Sequence, residues 1–195
     1  MEARVCVLAG DGVGKEVTTE SMKVLEAICR KFDHNFEFIH AIVGGAAIDK
    51  FNNPLPPESM NLALGSDAIL FGAVGGPKWD NPSADVRPED AILALRKRLG
   101  LYANMRPVKV YPELLHSSPL KPEYLKDVDF VIVRELTGGL YFGRPKRRSA
   151  STRGRRAVDT LAYSEKEIAR VVRVAFELVK SRRKRLHSLE KMNVL

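Results

Sequence analysis

The sequence predicts an α/β protein built on an open sheet flanked by helices. Two observations carry this prediction. Short apolar runs alternate with longer amphipathic segments over the first hundred residues, the order that gives a largely parallel sheet with right-handed crossovers. A long polar loop then follows the third apolar run, at the strand end where open α/β sheets bind ligands.

The first strand is "RVCVLA", Arg4 to Ala9, and the turn after it, "GDGVGKEV", is the first candidate for chemistry. A phosphate loop needs G-x-x-x-x-G-K-[ST]. Here Ala9 stands five positions before Gly14, and Glu16 stands where the metal-binding hydroxyl belongs. The dinucleotide fingerprint fails as well, because the third glycine is missing from its place. What remains is a tight strand-to-helix turn whose glycines adopt backbone angles other residues avoid.

The helix that follows is expected from Lys15 to Phe32, with Val17, Val24, Leu25, Ile28 and Phe32 on its core face. "FEFIHAIV" reads as the second strand, "NNPLPPESM" as a turn into a short helix, and "DAILFGAV" as a buried third strand. The polar loop runs from Gly75 to Asp90, and a helix from about Glu89 to Leu99 follows it. "LYANMRPVKVY" and "DFVIVREL" are extended, and "TGGLYFGRPK" reads as a hairpin or arm. Ser164 to Glu167 form a capping box. It opens a helix with Ile168, Val171, Val172, Ala175, Phe176 and Val179 toward the core. A last strand is expected within "LEKMNVL".

Composition narrows the function classes. The net charge of +8 is concentrated between Arg144 and Arg156, which hold seven basic residues and no acidic one. The run "KSRRKR" falls at a helix end, where cations meet the negative end of the dipole. Neither run interleaves aromatics as single-strand binders do, so no nucleic-acid partner is expected. Cys6 and Cys29 have no metal-ligand spacing and read as small core residues of a reduced compartment. No signal peptide is visible and no run approaches the ~20 apolar residues of a membrane span, so a cytoplasmic protein is expected.

Three arginines stand beside polar loops: Arg96 in "LALRKRLG", Arg106 in "NMRP" and Arg134 in "VREL". Planar guanidinium groups grip carboxylates in bidentate fashion, which suits a small di- or tricarboxylate. Three surface salt bridges are the alternative reading. Tyr141 is a proton donor or a hairpin aromatic, and Lys191 is a general base only if its pKa falls far below the usual ~10.4.

Taken together and in order, "GDGVGKEV", "VGGAAID", "PLPPES", "LFGAVGGPKWD", "LRKRLGLYANMRPVKVY", "VRELTGGLYFGRPK" and "EKMNVL" make the likeness specific. The sequence resembles the beta-decarboxylating dehydrogenases, the isocitrate/isopropylmalate dehydrogenase family, and within it most of all the 3-isopropylmalate dehydrogenases. The resemblance runs from residue 4 to the last residue. It implies that family's open sheet rather than a Rossmann fold, with a first, cofactor-side domain over residues 1–101. A partial second domain would span 102–195 on the substrate and dimerisation side, with an arm at 137–160.

The resemblance also implies roles. Arg96, Arg106 and Arg134 would hold the carboxylates of an alkylmalate substrate. Tyr141 would protonate the enolate carbon after CO₂ leaves. Lys191 would take the hydroxyl proton, reaching into the partner's site of a homodimer. Gly75, Gly76, Pro77, Lys78 and Glu89 would lie along NAD, and Mg²⁺ or Mn²⁺ would polarise the hydroxyl. Ile92 and Leu93, within one turn of Arg96, would suit an isopropyl group, because a third carboxylate placed there would be desolvated and unpaired. The implied reaction is oxidative decarboxylation of 3-isopropylmalate to 4-methyl-2-oxopentanoate in leucine biosynthesis. The alternatives are a homoisocitrate, tartrate or isocitrate enzyme, or a non-catalytic carboxylate binder.

Two features depart from the family pattern. Lys15 replaces a proline suited to the first helical turn, at little cost. The arm carries "RRSASTRGRR" where relatives mix glycine and acidic residues, and like charges there repel across a two-fold axis. In the family the metal's aspartates and the adenosine-binding loop come from beyond the point at which this sequence stops. The sequence is therefore expected to be a fragment with half a catalytic site and apolar surface uncovered on its first three strands.

Overall fold

The structure is a computed structural model that describes residues 1–81 and 83–193. The chain divides into two units, Met1–Leu99 and Gly100–Leu195, described here one at a time.

In the first unit, strand β1 (Glu2–Gly10) is the centre of a three-stranded sheet. It pairs in parallel with β2 (Asn35–His40) on one side and β3 (Ala68–Ala73) on the other. Helix α1 (Val13–Phe32) connects β1 to β2, while α2 (Gly45–Phe51) and α3 (Pro57–Leu64) lie between β2 and β3. A 3-10 turn (Pro77–Trp79) follows β3, and α4 (Asp90–Leu99) closes the unit. The predicted parallel sheet flanked by helices is present. Helix α2 has no counterpart in the sequence reading, because its seven residues are too short to display helical periodicity.

β1 is buried on both faces: Val5, Cys6, Val7 and Leu8 are 7% exposed or less. Cys6 and Leu8 pack with Val43, Leu55, Ala63, Ala91 and Leu95 into one apolar cluster. The expectation of uncovered apolar surface is corrected for β1, and holds only in part for the half-buried apolar residues of β2 and β3. On α1, Leu25 and Ile28 are half-buried but Val17, Val24 and Phe32 are exposed, which corrects the core face read from periodicity. Cys6 is buried as expected, whereas Cys29 is only half-buried.

The glycine turn is a matter of close approach. The Gly10 backbone has φ +79°, and a Cβ there would fall 1.9 Å from Ala73 O. A Cβ on Gly14 would meet Ala9 O at 2.3 Å and Ala73 O at 2.6 Å. Any larger residue forces the first turn of α1 away from the sheet.

In the second unit, β4 (Ala103–Lys109) pairs antiparallel with β5 (Asp129–Glu135). A 3-10 turn (Pro112–Ser117) and the short helix α5 (Pro122–Leu125) lie between them. "TGGLYFGRPK" is not a hairpin: it holds a 3-10 turn, Gly139–Tyr141. The hairpin is formed instead by the basic segment, as β6 (Arg147–Ser151) and β7 (Gly154–Val158). Unlike the first sheet, both of these pairings are antiparallel.

Helix α6 (Glu165–Lys180) begins at Ser164, whose hydroxyl accepts from the Glu167 amide while Glu167 accepts from the Ser164 amide. The capping box is formed as read. Val171, Ala175 and Val179 are half-buried, but Ile168, Val172 and Phe176 are 52%, 40% and 55% exposed, correcting their placement in the core. The helix ends at Lys180, so most of "KSRRKR" lies past it. There Arg182 pairs with Asp129 at 2.6 Å, and Arg183 donates to the Asp129 carbonyl. No strand forms among the described residues after α6, which overturns the last predicted strand; Val194 and Leu195 lie outside the described residues.

Candidate functional site

The first unit holds a cavity of about 330 Å³ lined by Gly75, Gly76, Pro77, Trp79, Arg87 and Glu89 among others. It lies in the loop after β3, so Gly75, Gly76, Pro77 and Glu89 share one concavity. Lys78 is turned elsewhere: its ammonium pairs with Asp49 at 2.6 Å and sits 5.3 Å above the Trp79 ring. Asp49 also accepts from Trp79 Nε1 at 3.1 Å. The hydrogen bonds from Lys78 and Trp79 hold the Asp49 carboxyl below the usual aspartate range. On α4, Ile92, Leu93 and Arg96 are half-buried. Their spacing of three and four residues puts them on one helix face.

In the second unit the β4–β5 ladder arranges the other arginines. Asn104 stands opposite Arg134, and Arg106 opposite Ile132. Paired residues share a face and alternate positions share it too. Arg106 and Arg134 are thus diagonal neighbours on one face, a separation of about 7–8 Å between such positions. Asn104 Oδ1 accepts from Arg106 Nε at 2.5 Å, fixing that guanidinium. The turn after β5 brings Tyr141 to the same place, with the Arg134 guanidinium carbon 5.6 Å from its ring centroid. Tyr141 itself is 51% exposed. Lys191 is exposed on irregular chain.

The turn that carries Tyr141 is anchored by Glu135, whose side chain is 8% exposed. Its carboxylate accepts from the Thr137 amide at 2.8 Å, the Thr137 hydroxyl at 2.7 Å, the Gly138 amide at 2.7 Å and Arg170 Nη2 at 2.9 Å. Arg170 also donates to the Thr137 hydroxyl and stacks over the Tyr102 ring at 4.6 Å. Burial acts to raise the Glu135 carboxyl, but the hydrogen bonds from Thr137, Gly138 and Arg170 outweigh it and leave it below the usual glutamate range.

Sequence reasoning missed Asp11, Trp79, Asn104, Glu135 and Arg170. Asp11 had a signal, an acidic residue between two glycines in a strand-to-helix turn, but its 3% exposure is a tertiary fact. Among the described residues no group of three His, Cys, Asp or Glu is placed to hold a metal ion. No described helix is long and apolar enough to cross a membrane.

Known proteins with this pattern are numerous. The chain is 52% identical over 195 residues to the 3-isopropylmalate dehydrogenase of Anaeromyxobacter dehalogenans, covering all of this chain and 55% of that one. It is 53% identical to the enzyme of the same name from Geobacillus kaustophilus, covering 98% of this chain and 52% of that one. The chain thus spans about half the length of the curated relatives it matches. Among solved structures, isocitrate dehydrogenase from Methylococcus capsulatus superposes with a TM-score of 0.70 at 25% identity, over 91% of this chain and 47% of that one. A beta-decarboxylating dehydrogenase from Thermococcus kodakarensis gives 0.62 at 32% identity, over 91% of this chain and 46% of that one. The family model described as isocitrate/isopropylmalate dehydrogenase matches residues 4–195. Ordered motifs, a parallel first sheet and this match lead to one conclusion: the chain belongs to the isocitrate/isopropylmalate dehydrogenase family.

Proposed function

We propose that these residues serve an NAD-dependent oxidative decarboxylation of 3-isopropylmalate to 4-methyl-2-oxopentanoate, a step of leucine biosynthesis. The observation that carries the reading is the placing of Arg106 and Arg134 on one face of the β4–β5 ladder, with the Tyr141 ring of the following turn against Arg134. Two guanidinium groups held on rigid strands suit a dicarboxylate, and a phenol beside them suits a proton donor. The names of the relatives support the choice of substrate. Residues 1–101 are assigned to the cofactor side and 102–195 to the substrate side, with 137–160 as the arm of a cytoplasmic homodimer.

In this reading Arg96, Arg106 and Arg134 bind and orient the malate carboxylates, and Ile92 and Leu93 receive the isopropyl group. The cavity at Gly75, Gly76, Pro77 and Glu89 fits a small-molecule group of modest size, and these residues would hold the nicotinamide end of NAD. When bound, that group supplies the hydride acceptor. Lys78, paired with Asp49, would set the outer edge of the loop. Lys191 takes the hydroxyl proton as the carbinol carbon is oxidised. Decarboxylation leaves an enolate, whose carbon Tyr141 protonates. The divalent cation implied by family membership, Mg²⁺ or Mn²⁺, finds no ligand set among the described residues, and no step is assigned to it.

The test uses this chain completed to full length with the remainder of its Geobacillus relative. It should form NADH with 3-isopropylmalate at least tenfold faster, by kcat/KM, than with isocitrate or tartrate, a difference of about 1.4 kcal/mol. Lys191→Met should abolish turnover while 3-isopropylmalate still binds by calorimetry. Equal rates with isocitrate would overturn the substrate assignment, and turnover by Lys191→Met would place the base elsewhere.

A further inference from the structure

One carboxylate holds a lining residue of the first unit's cavity and the backbone packed under another. Asp11 Oδ2 accepts from the Gly45 amide at 2.6 Å and from the Gly75 amide at 2.9 Å, and Oδ1 accepts from the Ala46 amide at 2.9 Å. The Asp11 amide in turn donates to Ala73 O at 2.7 Å. One side chain therefore ties the turn after β1 to the start of α2 and to the loop after β3. Each tie reaches the cavity by direct contact. Gly75 lines it, and a Cβ at Gly75 would lie 2.9 Å from Glu89 Oε1. Gly45 is packed against the ring of Trp79, another lining residue, where a Cβ would fall 2.4 Å from the ring. No flexible side chain intervenes on either path.

We infer that Asp11 is a positioning residue for the cofactor cavity, setting Gly75 beside Glu89 and, through Gly45, the seat of Trp79. The inference rests on the cofactor reading of that cavity. A carboxylate is required by the donor count. Three amide N–H groups converge on two oxygens, whereas an asparagine offers one oxygen and turns its own N–H₂ toward a donor. Asp11→Asn can keep its oxygen on Gly45 and Gly75 and give up only Ala46, whereas Asp11→Ala removes all three ties.

The test uses the full 195-residue chain and its single tryptophan, Trp79, as reporter. NAD⁺ binding is followed by Trp79 emission, and exchange of the Gly45, Ala46 and Gly75 amides is followed by NMR. Asp11→Ala should weaken NAD⁺ binding about tenfold or more and speed exchange of those amides by a similar factor. The control is Ser59→Ala, which removes a buried hydroxyl that donates to Ile42 O at 2.6 Å and lines no part of the cavity. It should leave both readings unchanged. Equal weakening in the two variants, or unchanged NAD⁺ affinity in Asp11→Ala, overturns the inference. If these 195 residues alone do not bind NAD⁺, the binding arm is repeated by calorimetry on the chain joined to the remainder of its Geobacillus relative. Failure to bind there makes the cofactor reading fall, and the exchange rates judge the clamp on its own in either case. If Asp11→Ala does not fold, couplings across the hydrogen bonds from the three amides to the Asp11 carboxyl carbon decide in the unaltered chain. Their absence refutes the clamp.

Discussion

Replacing Glu135 by glutamine tests whether the second unit depends on one buried acceptor. The carboxylate accepts two amides on Oε2, and the Thr137 hydroxyl and Arg170 on Oε1. Glutamine keeps one oxygen for the two amides, and the Thr137 hydroxyl can turn to accept from the new N–H₂. Arg170 keeps the Thr137 hydroxyl as an acceptor but loses its charged partner, and its Nε already lacks a hydrogen-bond partner. Removing one member of a fully buried pair costs about 3–5 kcal/mol. The Arg170 side chain is 34% exposed and keeps its seat on Tyr102, so solvent recovers part of that. The expected loss is about 2 kcal/mol, as for one charge-assisted hydrogen bond. The assay is urea unfolding read by helix circular dichroism, alone and in an Arg170→Met background. In that background the cost should fall below about 1 kcal/mol, since the partner is gone. A loss under about 0.5 kcal/mol, or an equal loss in both backgrounds, refutes the reasoning.

The same group sets a pH dependence. Its folded pKa lies below the unfolded one, so the unfolded chain binds more protons in between and stability rises with pH across that window. The contribution should be complete above the unfolded value of about 4.3 and disappear as pH falls through the folded value, and Glu135→Gln should flatten that acid limb in a series of melts. Gly10→Ala should cost more than about 2 kcal/mol in urea unfolding, because the methyl meets Ala73 O in a left-handed backbone. Ser164→Ala should cost about 1 kcal/mol through loss of the α6 cap, with Ser164→Gly losing only a few tenths. In the completed enzyme Arg106→Lys should raise the 3-isopropylmalate KM and lower kcat, because a point charge cannot reproduce a bidentate grip; unchanged kinetics would return Arg106 to a surface role.

The sequence by itself determined the elements whose signals are local. β1 and β3 are legible as short apolar runs, α6 begins at the capping box that Ser164 and Glu167 announce, and the glycine turn is excluded from both nucleotide fingerprints by Ala9, Glu16 and the missing third glycine. The loop that supplies Gly75 and Glu89 was legible from its place after β3. Helical periodicity, however, reports an apolar face and not what covers it. Val17, Val24 and Phe32 on α1, and Ile168, Val172 and Phe176 on α6, obey the pattern and are exposed. The hairpin moved into the basic arm because strand pairing is a long-range matter that composition does not encode. Arg106 and Arg134 are 28 positions apart, and only the antiparallel register puts them on one face beside Tyr141. Asp11 is the clearest case. Three amides from segments up to 64 residues away converge on it, and a buried carboxylate acquires its role from donors that only the folded chain assembles.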